Sequence, residues 1–135
     1  LTPFVGMRMN AKATKWAHLT AFQQQAVIAV FRRGGVPGAN PTDRPYGLSI
    51  KRELEVVRGE EVNHGRLYPN LDDLVDAGLL TKTERDKRTN AYGATTEAAE
   101  QFAAWLSDYV GVDADPDDVA EHAREAFESQ TTKHA

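Results

Sequence analysis

Polar residues recur at the helical spacing i, i+3, i+7 and i+10 between residues 62 and 76, namely Asn63, Arg66, Asn70 and Asp73, and His64 follows Asn63 directly. The side chains suited to base edges are those of Asn63, His64, Arg66 and Asn70. Arginine matches the paired acceptors of guanine in the DNA major groove, and asparagine matches the edge of adenine. We therefore predict that these four residues read bases from one helix, with Arg66 on guanine and Asn63 or Asn70 on adenine. The imidazole of His64 suits either a base or a phosphate.

A basic segment follows that candidate helix and contains Lys82, Arg85, Lys87, Arg88 and Thr89. Residues 79–85 and 91–95 have strand composition, and residues 86–90 have turn composition, which together predict a β-hairpin. Lys87 and Arg88 should lie at its tip, where cations can contact phosphate oxygens. The alternative is a solvated hairpin whose cations only prevent edge pairing. Its position directly after the candidate helix favours a DNA-contacting wing.

Composition limits the possible classes of protein. A chain of 135 residues, 41% hydrophobic and 27% charged, predicts one folding unit with a real core. No apolar run approaches 18 residues and residues 1–9 lack the pattern of a signal peptide, so we expect a protein of the cytoplasm without membrane contact. The absence of cysteine excludes disulfides and thiolate metal sites. No cofactor and no bound metal are expected.

The charge is distributed unevenly along the chain. Its net value is −4, which argues against a polyanionic partner when taken alone. Residues 1–95, however, hold 14 Lys and Arg against 10 Asp and Glu, whereas residues 96–135 hold 2 against 10. This indicates either a DNA-facing half with a remote acidic half, or simply a solvated acidic helix at the end of the chain.

Two predicted helices precede the candidate reader helix. Thr20 and Gln23 form a capping box, which predicts a helix that ends at residues 34–35. Residues 36–45 are rich in Pro and Gly and predict an exposed loop without regular structure. The next helix, over residues 46–57, should stop near Gly59 and place Gly47, Ile50, Leu54 and Val57 inward and Lys51, Arg52, Glu53 and Glu55 outward.

The candidate reader helix contains a proline. Its inward positions are predicted to be Leu67, Leu71, Leu74 and Val75. A proline inside a regular helix costs about 3 kcal/mol, so the helix either starts near Pro69 or bends there. Both alternatives keep residues 63–66 at the N-terminal end, which usually approaches the bases.

Two helices are predicted in the C-terminal part. The first is capped by Thr95 or Thr96 and carries one stripe of apolar residues, Ala98, Phe102, Trp105, Leu106 and Tyr109. The second starts at Asp115 and Pro116 and aligns Val119, Ala123, Ala126 and Phe127. We expect a two-fold interface built from Phe102, Trp105, Leu106, Tyr109, Val119, Ala123 and Phe127; the alternative is an intramolecular core.

The chain resembles the PadR family over residues 20–109. The resemblance is carried by short motifs at residues 46–50, 65–71, 78–80, 90–92 and 96–97. Its most specific part is the run Gly-x-Leu-Tyr-Pro-x-Leu at residues 65–71. The resemblance implies a dimeric regulator of transcription, usually a repressor, whose reader helix enters the major groove and whose C-terminal helices dimerise. The chain departs from the pattern at Ala98 and Ala99, in its long loop at 36–45, and in its short C-terminal region. The short region puts a large effector pocket in doubt.

There are two interpretations of the aromatic residues Trp16, Phe102 and Trp105. They are suited to line a small apolar site, but a role in the core is favoured. The sequence identifies no effector ligand.

The predicted architecture is mostly α with a small β-hairpin wing. A winged helix-turn-helix DNA-binding domain is expected at 10–95 and a helical dimerisation region at 96–130. Double-stranded DNA and a second copy of the chain are the expected partners. A winged helix that only binds proteins has the same fold, but it leaves the cations of the hairpin unexplained.

An enzyme is the rival class. Its candidates would be His18, His64, His122 and His134, and Glu121, His122 and Glu125 form only a fragment of a helical metal site. No catalytic motif accompanies them, so we predict that the protein is not an enzyme.

Overall fold

The computed structural model describes residues 10–133, with side chains up to residue 126. A two-stranded antiparallel hairpin is embedded in an otherwise helical chain, so the predicted fold class is confirmed. The elements are α1 (Ala11–Ala17), α2 (Ala21–Arg32), α3 (Gly47–Arg58), α4 (His64–Asp76), β1 (Leu80–Asp86), β2 (Thr89–Ala94), α5 (Thr96–Trp105) and α6 (Pro116–Lys133). Among the described residues, no helix has the length and apolar character needed to cross a membrane.

Helix α1 was not predicted from the sequence. The Asn10 side chain caps it by accepting a hydrogen bond from the backbone N–H of Lys12, and Ala13 and Trp16 are buried. The Trp16 ring stacks on Phe102 of α5 at a centroid distance of 4.9 Å. Trp16 is therefore a core residue, as favoured from the sequence.

Helix α2 lies at the centre of the molecule and begins with the predicted capping box. The Thr20 hydroxyl accepts from the Gln23 N–H at 3.1 Å, and the Gln23 side chain accepts from the Thr20 N–H at 3.2 Å. Its buried residues are Phe22, Ala26, Val27, Ala29, Val30 and Phe31. Because these face several directions, α2 packs against α3, α4, α6 and β2.

The segment between α2 and α3 is more ordered than predicted. Pro41–Asp43 form a turn of 3-10 helix capped by Asn40, which corrects the expectation of a loop without regular structure. Both ends of the segment bond to β2: Tyr92 N–H donates to the Pro45 carbonyl at 2.8 Å, and Ala94 N–H donates to the Gly35 carbonyl at 2.7 Å. The proline and glycine content did not reveal these partners, because they lie far along the chain.

Helix α3 ends at Gly59 as predicted, but two of its side chains lie elsewhere than expected. Val57, expected inside, is 52% exposed, whereas Glu53, expected outside, is only 2% exposed. The Glu53 carboxylate lies 3.5 Å from Nε of Arg32 and 3.2 Å from Nε of Arg33. The inward face of α3 therefore includes a charge that the C-terminal end of α2 compensates.

Helix α4 runs through its proline. It starts at His64, capped by Asn63, so the alternative in which it starts near Pro69 is wrong. Pro69 has no N–H to donate to the carbonyl of Gly65, four residues earlier. Leu67, Leu71 and Leu74 are buried and Val75 is partly buried against the core, which confirms the predicted inward face.

The hairpin follows directly after α4. Its strands pair antiparallel from Leu80 with Ala94 to Asp86 with Thr89, with an irregularity between Glu84 and Asp86. The observed strands are shifted by one or two residues from those predicted. Lys87 and Arg88 form the two-residue connection at the tip, as expected.

The C-terminal helices pack on the rest of the chain. Thr95, rather than Thr96, caps α5. After Trp105 the helix widens into a π turn, Leu106–Val110, and Tyr109 is 47% exposed, so the last member of the predicted stripe does not face inward.

Helix α6 contacts α2 and α5. It begins as predicted, since Asp115 accepts hydrogen bonds from the N–H groups of Asp117 and Asp118. Val119 and Ala123 are partly buried, whereas Ala126, expected to align with them, is exposed. The side chain of Phe127 lies outside the described residues.

Replacing Glu53 by glutamine should destabilise the fold. The change removes the charge that two partly buried arginines face, and breaking such a cluster should lower the free energy of unfolding by about 3 kcal/mol. Urea denaturation of the variant measures this loss. Arg52→Gln, at the adjacent exposed position, is the control and should change stability by less than about 0.5 kcal/mol. Equal effects of the two changes would contradict the prediction.

Candidate nucleic-acid interface

Asn63, predicted to read bases, caps α4. Its side-chain oxygen accepts a hydrogen bond from the Arg66 N–H at 2.8 Å. This bond satisfies one of the free N–H groups at the start of the helix. Recognition of adenine by asparagine uses both the oxygen and the nitrogen of the side-chain amide. Because the oxygen of Asn63 is engaged in the cap, such a two-bond contact would require the cap to open.

The Arg66 side chain is positioned by an aromatic ring of α2. Its guanidinium carbon lies 4.2 Å from the centroid of the Phe22 ring, and that of Arg58 lies 5.3 Å from the same centroid. Arg66 remains exposed. An arginine held by a cation–π contact loses less conformational freedom when it binds, which suits the predicted contact with guanine. Phe22 is thus a buried residue of α2 that also contacts two arginines, and the sequence alone did not predict that contact.

Both the nitrogen and the oxygen of the Asn70 side-chain amide form hydrogen bonds within the chain. Its nitrogen donates to the Arg66 carbonyl at 2.8 Å, and its oxygen accepts from the Gln23 side chain at 3.2 Å. These bonds join α4 to the start of α2. Asn70 is thus less available to a base than Arg66 is, although the sequence made them equal candidates.

His64 lies on the opposite edge of α4 from Arg66. Its ring stacks with that of Tyr68 at a centroid distance of 5.6 Å and an interplanar angle of 4°. Tyr68 in turn packs on Gly47 at the start of α3, where a Cβ atom would lie 2.7 Å from the Tyr68 hydroxyl. The two motifs that contain Gly47 and Tyr68 therefore form one contact, and that contact also supports His64.

The C-terminal half of α4 is acidic. Asp72, Asp73 and Asp76 are exposed there, and Lys82 of β1 forms an ion pair with Asp72 at 3.1 Å. Carboxylates repel phosphate, so this half of the helix is unsuited to close contact with DNA. Lys82, predicted to contact phosphate, is therefore already partnered by Asp72.

The middle of strand β1 and its end near the tip are held by the segment before α3. Arg85 donates to the Pro41 carbonyl at 2.8 Å and lies over the Tyr46 ring, and Arg44 donates to the Thr83 hydroxyl at 3.3 Å. A Cβ atom on Gly93 would lie 2.8 Å from Nε of Arg44. Arg85, predicted to contact phosphate, thus orients the hairpin. Arg44, which the sequence did not single out, fills the space beside Gly93.

The tip of the hairpin carries two exposed cations, Lys87 and Arg88. The Arg88 N–H donates to the Asp86 carboxylate at 2.9 Å. This bond, assisted by the Thr89 hydroxyl, lowers the pKa of Asp86 and fixes the turn. Thr89, also predicted to contact the DNA backbone, is therefore partnered. Lys87 and Arg88 are exposed, and Arg88 lines a groove of about 450 Å³ together with Gly47 and Tyr68.

The rival enzyme candidates do not come together. No cluster of three potential metal ligands occurs within the described part of the chain. Nδ1 of His122 lies 2.7 Å from the Asp118 carbonyl, and Glu121 pairs with Arg124. His18 is exposed, and His134 lies outside the described residues.

A cavity of about 540 Å³ lies between α2, α5 and α6. Phe102 lines it, together with Arg32 and His122. Trp16 and Trp105, considered from the sequence as companions of Phe102 in a small apolar site, are not among its lining residues.

Comparison with known proteins defines the class. The model of the transcriptional regulator PadR-like family matches residues 41–104, which include α3, α4, the hairpin and most of α5. The chain belongs to the PadR-like family of transcriptional regulators, and it is a DNA-binding transcription regulator.

Among solved structures, the chain is similar to RosR. One match is the structure of H. salinarum RosR from crystals grown from NaBr, which is 41% identical in sequence and has a TM-score of 0.53. The match covers 86% of this chain and 96% of that chain. Another match is the complex structure of hsRosR-S4, which is 38% identical in sequence and has a TM-score of 0.56. This match covers 92% of this chain and 99% of that chain. The sequence motifs also indicated a likeness to the archaeal PadR-like regulator RosR, which these matches confirm. No curated protein matches the chain.

Proposed function

We propose that the protein is a homodimeric repressor that binds a palindromic operator in a sequence-specific manner. The start of each α4 enters a major groove, and the tip of each hairpin contacts the flanking backbone. Two such helices related by a two-fold axis contact half-sites about 34 Å apart.

The arrangement of Arg66, His64 and the hairpin tip carries this proposal. Arg66 and His64 flank the exposed N-terminal end of α4, and each rests on an aromatic ring. The groove that holds Tyr68 also holds Arg88, so the hairpin tip lies beside this end of the helix. The groups proposed to read bases and those proposed to bind phosphate thus lie close to each other, as expected for a protein whose phosphate contacts position its base contacts.

Exposed apolar side chains support the homodimer. Tyr109, Val110 and Val112 are each about half exposed and follow one another after α5. Tyr109 continues a row of stacked rings, with its centroid 6.4 Å from that of Trp105. Contiguous apolar surface next to a core favours contact with a second protein surface. Phe102 and Ala123 are partly buried against the core. Val119, also partly buried, lines the same cavity as Val112.

The primary test is a gel-shift titration over genomic fragments, including the promoter of the protein's own gene, across a salt series with excess competitor DNA. We expect selective shifts of a few fragments. Absence of a shift at low salt, with a folded protein confirmed by circular dichroism, would instead favour a winged helix that binds proteins. Exposed Val56 on α3 would then mark a surface to examine.

Arg66→Ala should remove operator preference while largely keeping nonspecific binding. A bidentate contact with guanine contributes about 1 to 3 kcal/mol of discrimination, so the ratio of operator to random-sequence affinity should fall about tenfold or more. Fluorescence anisotropy with both DNAs measures that ratio. An equal loss on both DNAs would reassign Arg66 to a phosphate contact.

Lys87→Ala and Arg88→Ala should weaken binding to all sequences alike. Each lost phosphate contact should reduce the slope of log affinity against log salt by nearly one unit. Lys15→Ala, an exposed cation on α1, is the matched control and should leave the slope unchanged. A wild-type slope in the tip variants would show that the hairpin does not touch DNA.

Tyr109→Asp should convert the dimer into a monomer. The new carboxylate would lose its hydration at an apolar interface, while the exposed position spares the fold. Sedimentation velocity measures the change. Val56→Asp, which also places a charge at an exposed apolar position, should remain dimeric. A dimer that persists in Tyr109→Asp would place the interface elsewhere.

A further inference from the structure

Three glycines of the matched region differ in what surrounds them. At Gly47 and Gly93, a Cβ atom would lie 2.7 Å and 2.8 Å from side-chain atoms of Tyr68 and Arg44, so any larger residue there would have to displace a packed side chain. At Gly65, the nearest such atom is Oδ1 of Asn63 at 3.5 Å, an ordinary contact, and φ is not positive. The described structure thus gives no internal reason for glycine at position 65.

Glycine at position 65 also carries a cost. Gly65 is the second residue of α4, and glycine stabilises a helix less than alanine does. One use of glycine that offsets this cost is to let the backbone come close to a ligand.

The surroundings of Gly65 indicate which surface comes close. Gly65 and Pro69 are both exposed and are spaced by one helical turn, so they share a face of α4. Arg66 borders this face on one side and His64 on the other. The face between them therefore carries no long side chain at either position, and the two base-reading candidates flank it.

We propose that Gly65 is the point at which the backbone of α4 comes closest to the floor of the major groove, with Pro69 completing a flat contact surface. This inference rests on the proposed function. The exposed aspartates at the other end of α4 repel phosphate, so the helix inserts by its N-terminal half. Without a side chain at position 65, Arg66 and His64 reach the base edges from either side of the helix.

The test compares Gly65→Ala and Gly65→Leu in their affinity for the selected operator and in their melting temperature. We expect the melting temperature of Gly65→Ala to rise by about 3 °C, because alanine favours the helix. Operator affinity should nevertheless fall about tenfold, comparable to the loss of one good base contact, and Gly65→Leu should lose more. Gly47→Ala, in contrast, should lower the melting temperature by about 8 °C, because its Cβ atom meets Tyr68.

Two results would overturn the inference. One is a Gly65→Leu variant that binds the operator within about twofold of wild type, well below the loss of a base contact. The other is a Gly65→Ala variant that melts below wild type, which would mean that the fold itself requires glycine. Ala11→Leu adds similar bulk at an exposed position of α1 and should leave DNA binding unchanged. If wild type binds no DNA selectively, the proposed function fails first; if only the Gly65 variants behave as wild type, the inference alone fails.

Discussion

Burial of α2 on several sides sets the positions of the elements, including the helix that carries Arg66, that pack directly against α2. Its apolar residues pack against α3, α4, α6 and β2. At its first turn, Phe22 holds the Arg66 guanidinium and Gln23 holds the Asn70 amide. At its last turn, Arg32 and Arg33 neutralise the Glu53 carboxylate. Since buried side chains tolerate little displacement, the relative placement of α4 and α3 is fixed by the packing of the folded chain.

The cations of the hairpin divide into two groups with different physical roles. Arg85 and Lys82 each form a hydrogen bond within the chain, to the Pro41 carbonyl and to the Asp72 carboxylate respectively. Arg44 adds a similar contact from the segment before α3. These bonds orient the hairpin. Lys87 and Arg88 extend beyond them at the tip. A hairpin held along strand β1, with exposed cations at its tip, loses less conformational entropy when it binds a phosphate backbone.

Local features of the structure were predictable from the sequence because their causes lie within a few residues. The capping box at Thr20, the end of α3 at Gly59 and the hairpin tip at Lys87 follow from backbone geometry and hydrogen bonds over short spans. Helix α1 and the turn at residues 41–43 were missed because each is short and is held by contacts from distant elements.

The sequence by itself determined the winged-helix class and the type of chemistry, since periodicity, turn residues and the PadR motifs all depend on local order along the chain. Only the tertiary structure decided which polar residues are available. Glu53 is buried because α2 supplies arginines 20 or more residues away, and Asn70 is engaged because Gln23 lies 47 residues before it. Partners so distant in the sequence meet only when the core forms, and no local pattern encodes them.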